Sequence, residues 1–156
     1  MKKLALLVML MVASVSFGQI KKVESTKVEK TEIGKITPGG IFAMKCEKAG
    51  DNYYFTYKDD TFKVLNQENT FVIKDVDNAF ESLYGMIQEG FTTLPEEPFM
   101  LEFEDGYLWL SYRKFLGAPV IKFGHASSKT AEYASIGFSQ EFTKKQIDKL
   151  FGKKKK

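Results

Sequence analysis

The chain has 156 residues, 44% of them hydrophobic and 28% charged, and a formal net charge of +3. By size this is one domain, which should bury roughly two-thirds of its unfolded surface and needs no disulfide to fold. Its single cysteine, Cys46, cannot form a disulfide within the chain, and a single histidine, His125, excludes a zinc site built from several histidines or cysteines.

The charge is unevenly distributed along the chain. Residues 50–105 contain thirteen acidic residues and three lysines, a net charge of −10, whereas residues 141–156 contain seven lysines and two acidic residues, a net charge of +5. A nucleic-acid-binding domain normally carries a basic face on its folded core. The strongest basic run here is at the end of the chain, so nucleic acid is not predicted as a partner.

The first residues predict a secretory signal peptide. Lys2 and Lys3 form a positive region, residues 4–12 are apolar, and Ser16 and Gly18 supply the small residues for cleavage after residue 18. The alternative is a membrane anchor, but the apolar run is shorter than the about 20 residues that span a bilayer. The segment resembles bacterial signal peptides, and implies an exported bacterial protein, periplasmic or secreted, with no transmembrane segment after cleavage.

Residues 19–32 contain almost no large apolar residue, which predicts a flexible lead-in. A single globular domain is then expected over residues 33–152, with a basic tail over residues 153–156. The tail consists of Lys153, Lys154, Lys155 and Lys156. Such a tail could attract an anionic envelope surface, although a tail that only aids solubility is the simpler interpretation.

Short segments of alternating apolar residues predict strands along most of the domain. They are residues 33–36, 41–47, 53–58, 61–65 with Phe62 and Val64 on one face, 70–73, 99–104, 107–115, 120–125 and 132–138. Turn-forming residues separate them at hairpin spacing, which predicts antiparallel pairing. The dipeptide Asp105-Gly106 is the strongest hairpin signal in the chain.

One long stretch has helical periodicity, and it predicts the principal helix at about residues 75–90. Its apolar stripe is Val76, Phe80, Leu83, Tyr84, Ile87 and Phe91. Asp75, Asp77 and Asn78 are all plausible N-caps, Asn78 and Glu81 have the spacing of a capping box, and Gly90 fits the residue that follows a helix.

A second, short helix is predicted at about residues 143–151. Thr143 and Gln146 have capping-box spacing, Phe142 and Ile147 have the spacing of a hydrophobic staple, and Gly152 ends the pattern. The fold class expected is therefore α+β. We expect a bent antiparallel sheet of seven or eight strands packed on the principal helix, with the C-terminal helix closing an edge.

The candidate ligand-binding residues lie on the predicted outer face of the 99–115 hairpin and its neighbour strand. They are Glu102, Tyr107, Trp109, Arg113 and Lys122. Aromatic side chains among charges on a sheet face could stack a sugar or another planar ligand. In the simpler interpretation, a loop or the C-terminal helix covers Trp109 and makes a second small core.

The sequence offers little catalytic chemistry. Cys46 lies in a strand-like run and is expected to be buried, and nothing around it supports a nucleophile–base pair with His125. No catalytic residue, metal ligand or cofactor is assigned, and no glycine-rich phosphate loop is present. The leading hypothesis is a non-enzymatic binding or interaction domain; the alternatives are a small hydrolase using Glu102 or Glu104 and an envelope-associated structural protein.

Overall fold

The structure is a computed structural model that describes residues 28–61, 67–104, 106–130 and 136–153. Its elements in chain order are β1 (Thr31–Ile36), a 3-10 turn (Pro38–Gly40), β2 (Met44–Ala49), β3 (Asn52–Lys58), β4 (Glu68–Lys74), α1 (Ala79–Thr93), β5 (Phe99–Phe103), β6 (Gly106–Phe115), β7 (Ala118–Ala126), β8 (Ile136–Thr143) and α2 (Lys144–Leu150). Some predictions fall outside the described residues: the signal peptide, the lead-in before residue 28, Phe62 and Val64, Asp105, residues 132–135, and Lys154, Lys155 and Lys156.

The α+β class and the antiparallel pairing are confirmed, but the single bent sheet is wrong. The strands form two four-stranded sheets, ordered β1-β2-β3-β4 and β5-β6-β7-β8. Helix α1 connects β4 to β5, and these strands meet through stacked rings of Phe71 and Phe103, 6.2 Å between centroids. The helix therefore interrupts the meander, since β4 and β5 belong to different sheets and follow each other in the chain only through α1.

Both sheets and both helices share one hydrophobic core. Helix α1 packs against β4, β6 and β7, and α2 packs against β1, β2, β7 and β8. Phe151, directly after α2, contacts Phe55 of β3 and Phe80 of α1, with centroids 5.4 and 4.9 Å apart. At Gly34 of β1, a Cβ atom would collide with backbone atoms of Lys149 and Leu150. The C-terminal helix therefore packs closely on the face of β1, and its closing of a sheet edge stays a prediction.

The start of α1 differs from the prediction. The helix begins at Ala79, and its N-cap Asn78 has a left-handed backbone and makes no side-chain capping bond. The Asn78/Glu81 capping box is therefore wrong. Instead, the Phe80 backbone N–H donates to Asp75 Oδ1 at 3.1 Å, so the aspartate caps the first turn from outside the helix.

The end of α1 also differs. Gly90, predicted to follow the helix, lies inside it, and Leu94 ends the helix with a left-handed backbone at φ 47°. A Cβ at Gly90 would overlap the ring of Tyr112 in β6. The glycine is thus required for close packing of the helix on the second sheet, and not for chain reversal.

Helix α2 begins with the predicted capping box. The Gln146 N–H donates to Thr143 Oγ1 at 3.4 Å, and the Thr143 N–H donates to Gln146 Oε1 at 2.8 Å. Gly152 has a φ of 68°, which ends the helix. Lys153, predicted to begin a free tail, instead places Nζ 2.6 Å from Glu81 Oε1 on α1. Association of the tail, Lys153 to Lys156, with an anionic surface stays a prediction.

Cys46 is fully buried opposite Phe55. Burial, with a smaller contribution from the charge of Glu47, raises the pKa of its thiol to about 12. Native protein should therefore react with a thiol reagent at pH 8 at least about 10³-fold more slowly than urea-unfolded protein. Absorbance-monitored labelling with a disulfide reagent measures both rates, and equal rates would contradict a shielded thiol.

Candidate binding surface

The alternation of β6 separates two groups of side chains. Leu108 and Leu110 are fully buried in the core between the sheets and the helices. Tyr107 and Trp109 point to the opposite, outer face of the second sheet. In register, Trp109 lies between Met100 of β5 and a glycine of β7.

That glycine, Gly124, provides space for a third aromatic ring. A Cβ atom built on it would lie 2.9 Å from Phe138 Cε1 and 3.5 Å from Trp109 Cβ. The Phe138 ring therefore covers Gly124 beside Trp109. The rings of Tyr107 and Trp109 are 6.0 Å apart and inclined at 50°. We refer to Tyr107, Trp109 and Phe138 together as the aromatic surface.

Charged side chains surround the aromatic surface. The Lys122 ammonium lies 5.1 Å from the Phe138 centroid. Arg113 makes a bidentate pair with Glu141, in which Nη2 donates to Oε2 at 2.6 Å, and this hydrogen bonding raises the pKa of the guanidinium. Polar ligands can also form hydrogen bonds with Lys122, Arg113 and Glu141, because all three side chains remain partly open to solvent.

The opposite edge of the aromatic surface has a second ion pair, Lys129 Nζ to Glu102 Oε1 at 2.7 Å. Two exposed aliphatic side chains lie beside the rings, Met100 at 60% and Ile136 at 43%. The three aromatic side chains themselves are half-buried. The surface is therefore apolar at its centre and charged at its rim.

Both helices pack on the core side of the second sheet. The Phe91 ring of α1 contacts the inward ring of Tyr112 at 5.7 Å, and Ile147 and Leu150 of α2 are fully buried in the core. Within the ranges that the structure describes, neither helix covers Trp109. The interpretation in which the C-terminal helix covers this residue is therefore not what the fold shows.

The five predicted ligand-binding residues all lie on this outer face, which the strand registers join into one surface. Two of them, Glu102 and Arg113, are engaged in ion pairs. Sequence reasoning missed Phe138. The available signal was Gly124, because a glycine inside a strand often marks a close approach by another group.

The structure offers less support for catalysis. His125 lies near the rings of Tyr57 and Phe71, at 6.3 and 5.6 Å, and burial lowers the pKa of its imidazole. No hydrogen bond joins it to Cys46 in the described structure. Among the residues described, no group of three or more histidine, cysteine, aspartate or glutamate side chains is placed to hold a metal ion.

The hydrolase alternative requires two carboxylates facing each other across a cleft. Glu102 and Glu104 line a groove between β4 and β5, but both come from the β5 side. The facing wall, as far as the structure describes it, contributes Lys74 as its charged side chain and no carboxylate. The groove therefore lacks the opposed pair that this chemistry needs.

Asp59 is buried where the two sheets join. Its Oδ2 accepts from Asn69 Nδ2 at 2.7 Å, and its Oδ1 accepts from the backbone N–H groups of Thr61 at 2.8 Å and Phe138 at 3.3 Å. Burial alone would raise the pKa of this carboxyl, but the hydrogen bonds outweigh it and hold the pKa below its ordinary value. The carboxylate therefore links the end of β3 to the start of β8.

Comparison with protein-family models, curated proteins and solved structures finds no match to the chain. The surfaces of the molecule are therefore the guide to its function. None of the helices described is long and apolar enough to cross a membrane.

Proposed function

We propose that the protein is an exported, non-enzymatic carbohydrate-binding module, and that its aromatic surface is the binding site. The observation that carries the proposal is the grouping of Tyr107, Trp109 and Phe138 on one outer sheet face, with charged side chains at its rim. The signal-peptide pattern of residues 1–18 supports a periplasmic or secreted location.

The chemistry of sugars matches such a surface. One face of a pyranose ring carries C–H groups that pack against aromatic rings, while its hydroxyls lie around the ring edge. The Lys122 ammonium, 5.1 Å from the Phe138 centroid, is at the distance of that edge from a stacked ring, and charge-assisted hydrogen bonds are the stronger ones. An open sheet face has room for successive units of an extended glycan.

The proposal predicts that the protein binds its glycan more weakly when the ring of Tyr107 or the ring of Phe138 is removed. Isothermal titration calorimetry should detect binding of at least one of cellohexaose, xylohexaose, chitohexaose or soluble peptidoglycan fragments to the chain from residue 19 onward. Tyr107→Ala and Phe138→Ala should each weaken that binding by roughly tenfold, about 1.4 kcal/mol, as is typical of aromatic contact residues.

The matched control is Leu116→Ala. Leu116 is 92% exposed at the tip of the β6–β7 hairpin, so its loss removes apolar surface away from the aromatic rings and should leave affinity unchanged. An absence of binding to all four glycans, or an equal loss with the control variant, would contradict the proposal.

A further inference from the structure

The hairpin that joins β6 to β7 projects beyond the rest of the second sheet. The first residue of β5 pairs with Leu110, and the last residue of β8 pairs with Val120. Strands β6 and β7 remain paired further out, as far as Phe115 and Ala118. In the described structure, residues 114–119 therefore form a two-stranded tip with no neighbouring strand on either side, which we call the β6–β7 tip.

The end of the β6–β7 tip is apolar and open to solvent. Leu116 is 92% exposed and Phe115 is 49% exposed. A single exposed apolar side chain is common on a protein surface and needs no explanation. Here two adjacent ones stand at the outermost point of the sheet, so they present apolar surface to whatever lies beyond it.

The backbone at the tip makes leucine an unexpected residue there. Leu116 and Gly117 occupy the two loop positions, with φ of 49° and 82°. Positive φ at both positions is the pattern of a type I′ turn, which prefers Asn-Gly, Asp-Gly or Gly-Gly because a large side chain is strained in the left-handed region. Leucine therefore adds backbone strain as well as exposed apolar surface, and such departures from local preference concentrate at functional sites.

Two lysines lie behind the apolar end. Lys114 directly precedes Phe115. Lys145, in the first turn of α2, comes two residues after Thr143, which pairs with Val120 at the base of the tip. Both lysines are exposed, and within the described ranges neither is in an ion pair. The tip is therefore apolar at its end and positively charged at its base.

The remaining charges at this end of the sheet do not reverse that sign. Two ion pairs beside the base add no net charge; they are Arg113 with Glu141 and Lys144 with Asp148. Glu96 and Glu97 are exposed, but they precede β5, the strand that stops short of the tip on one side. Residues 113–122, which form the hairpin itself, include three basic residues and no acidic residue.

We propose that the β6–β7 tip inserts into the interfacial layer of an anionic lipid bilayer. From its end toward its base the tip has apolar side chains and then lysines, which is the order of hydrocarbon and negatively charged headgroups across such a surface. A strand rises about 3.3 Å per residue, so insertion of Leu116 and Phe115 places Lys114 at the headgroups. An apolar pocket on a partner protein would accept the tip, but it gives no role to the lysines at the base.

Co-sedimentation with lipid vesicles tests the proposal. The chain from residue 19 onward is mixed with vesicles of phosphatidylglycerol and phosphatidylethanolamine, and separately with vesicles of phosphatidylcholine alone, at about 50 mM salt so that electrostatic attraction is only weakly screened. Binding to the anionic vesicles should be at least roughly tenfold stronger, because lysines at the base of the tip lie next to their headgroups.

The Leu116→Asn variant separates insertion from folding. Asparagine is favoured in the left-handed region, so the variant should melt at the same temperature as the native protein or higher, yet bind the anionic vesicles roughly tenfold more weakly. The matched control, Val76→Asn, removes an apolar side chain that is 56% exposed before the first turn of α1. It lies at the opposite end of that helix from Gly90, which packs on β6, and should leave vesicle binding unchanged.

Charge reversal tests the base of the tip. Lys114→Glu should weaken binding to the anionic vesicles by roughly tenfold. The control, Lys74→Glu, makes the same change at an exposed residue at the end of β4, and should leave the binding unchanged.

A fluorescent label at the tip reports insertion directly. Because Cys46 is fully buried, the Leu116→Cys variant can be labelled selectively with an environment-sensitive dye. Its emission should move to shorter wavelength when the anionic vesicles are added, as the dye leaves water. The same dye on the Val76→Cys variant should show no shift.

Several results would overturn the proposal: no binding to the anionic vesicles, equal binding to the phosphatidylcholine vesicles, or full binding by Leu116→Asn. Complete loss of binding when the chain ends at Lys153 would assign the attraction to the C-terminal lysines instead. A dimer seen by sedimentation equilibrium and abolished by Leu116→Asn would assign the tip to a second copy of the chain.

The test is independent of glycan binding. Phe138 of the aromatic surface lies over Gly124, six residues along β7 from Ala118, so Leu116→Asn should leave the glycan affinity unchanged. The two proposals therefore fail independently.

Discussion

Leu83→Ala is expected to destabilise the protein by roughly 2–5 kcal/mol, the cost of truncating a buried leucine. Leu83 is 2% exposed in the middle of the apolar stripe of α1 and belongs to the core that both sheets share. A domain has only about 5–15 kcal/mol of stability in total, so this one change should remove a large share. Urea unfolding followed by circular dichroism measures the loss.

The matched control lies two residues along the same helix. Gly85 is exposed, and a Cβ atom built there would have no other atom within 4 Å. Gly85→Ala should be neutral or stabilising by up to about 1 kcal/mol, because alanine is the better helix former. If the two substitutions gave the reverse order of stability, the packing of α1 described above would be wrong.

Asp59→Asn is expected to cost roughly 2–3 kcal/mol at pH 7. Asparagine has nearly the same shape, but it has one acceptor oxygen fewer, and its NH₂ group would face donors that are now satisfied by the carboxylate. Asp60→Asn is the control, because Asp60 is exposed and a surface substitution of this kind usually changes stability by less than about 0.5 kcal/mol.

The Asp59 effect should depend on pH in a defined direction. The folded-state pKa of Asp59 is lowered, so the unfolded chain binds the proton more tightly than the folded protein does. The stabilisation is fully present above the unfolded pKa, about 3.9, and is lost as the pH falls through the folded pKa. The difference between native protein and Asp59→Asn, measured by urea unfolding, should therefore shrink between pH 7 and about pH 2. A difference independent of pH would contradict this role of the carboxylate.

The periodicity of the sequence predicted the elements better than their arrangement. Alternation identified the core residues of β3, Tyr53, Phe55 and Tyr57, all of which are buried, because a strand with one buried face has a period of two. Alternation does not reveal which strands are neighbours. Whether β4 pairs with β5 is set by tertiary packing, and the pattern of neither strand contains that information.

The candidate site was predictable in part, because the alternation along β6 also identifies its outward side chains. Tyr107 and Trp109 alternate with buried leucines, so their shared face follows from the sequence. Phe138 does not follow, because the β7–β8 register shifts between Lys122 and Gly124. Such a shift changes which side chains of β8 share a face with Trp109. The groove was not predictable, since it exists only because β4 and β5 do not pair with each other.

The most direct test of carbohydrate binding at the aromatic surface uses Trp109, the single tryptophan of the chain. Acrylamide quenching of its fluorescence should show a partly accessible indole in the free protein, since the side chain is half-buried on an outer face. Saturation with the tightest-binding hexaose should reduce the quenching constant, because the stacked sugar shields the ring. An unchanged quenching constant in the saturated protein would place the glycan elsewhere and contradict the account.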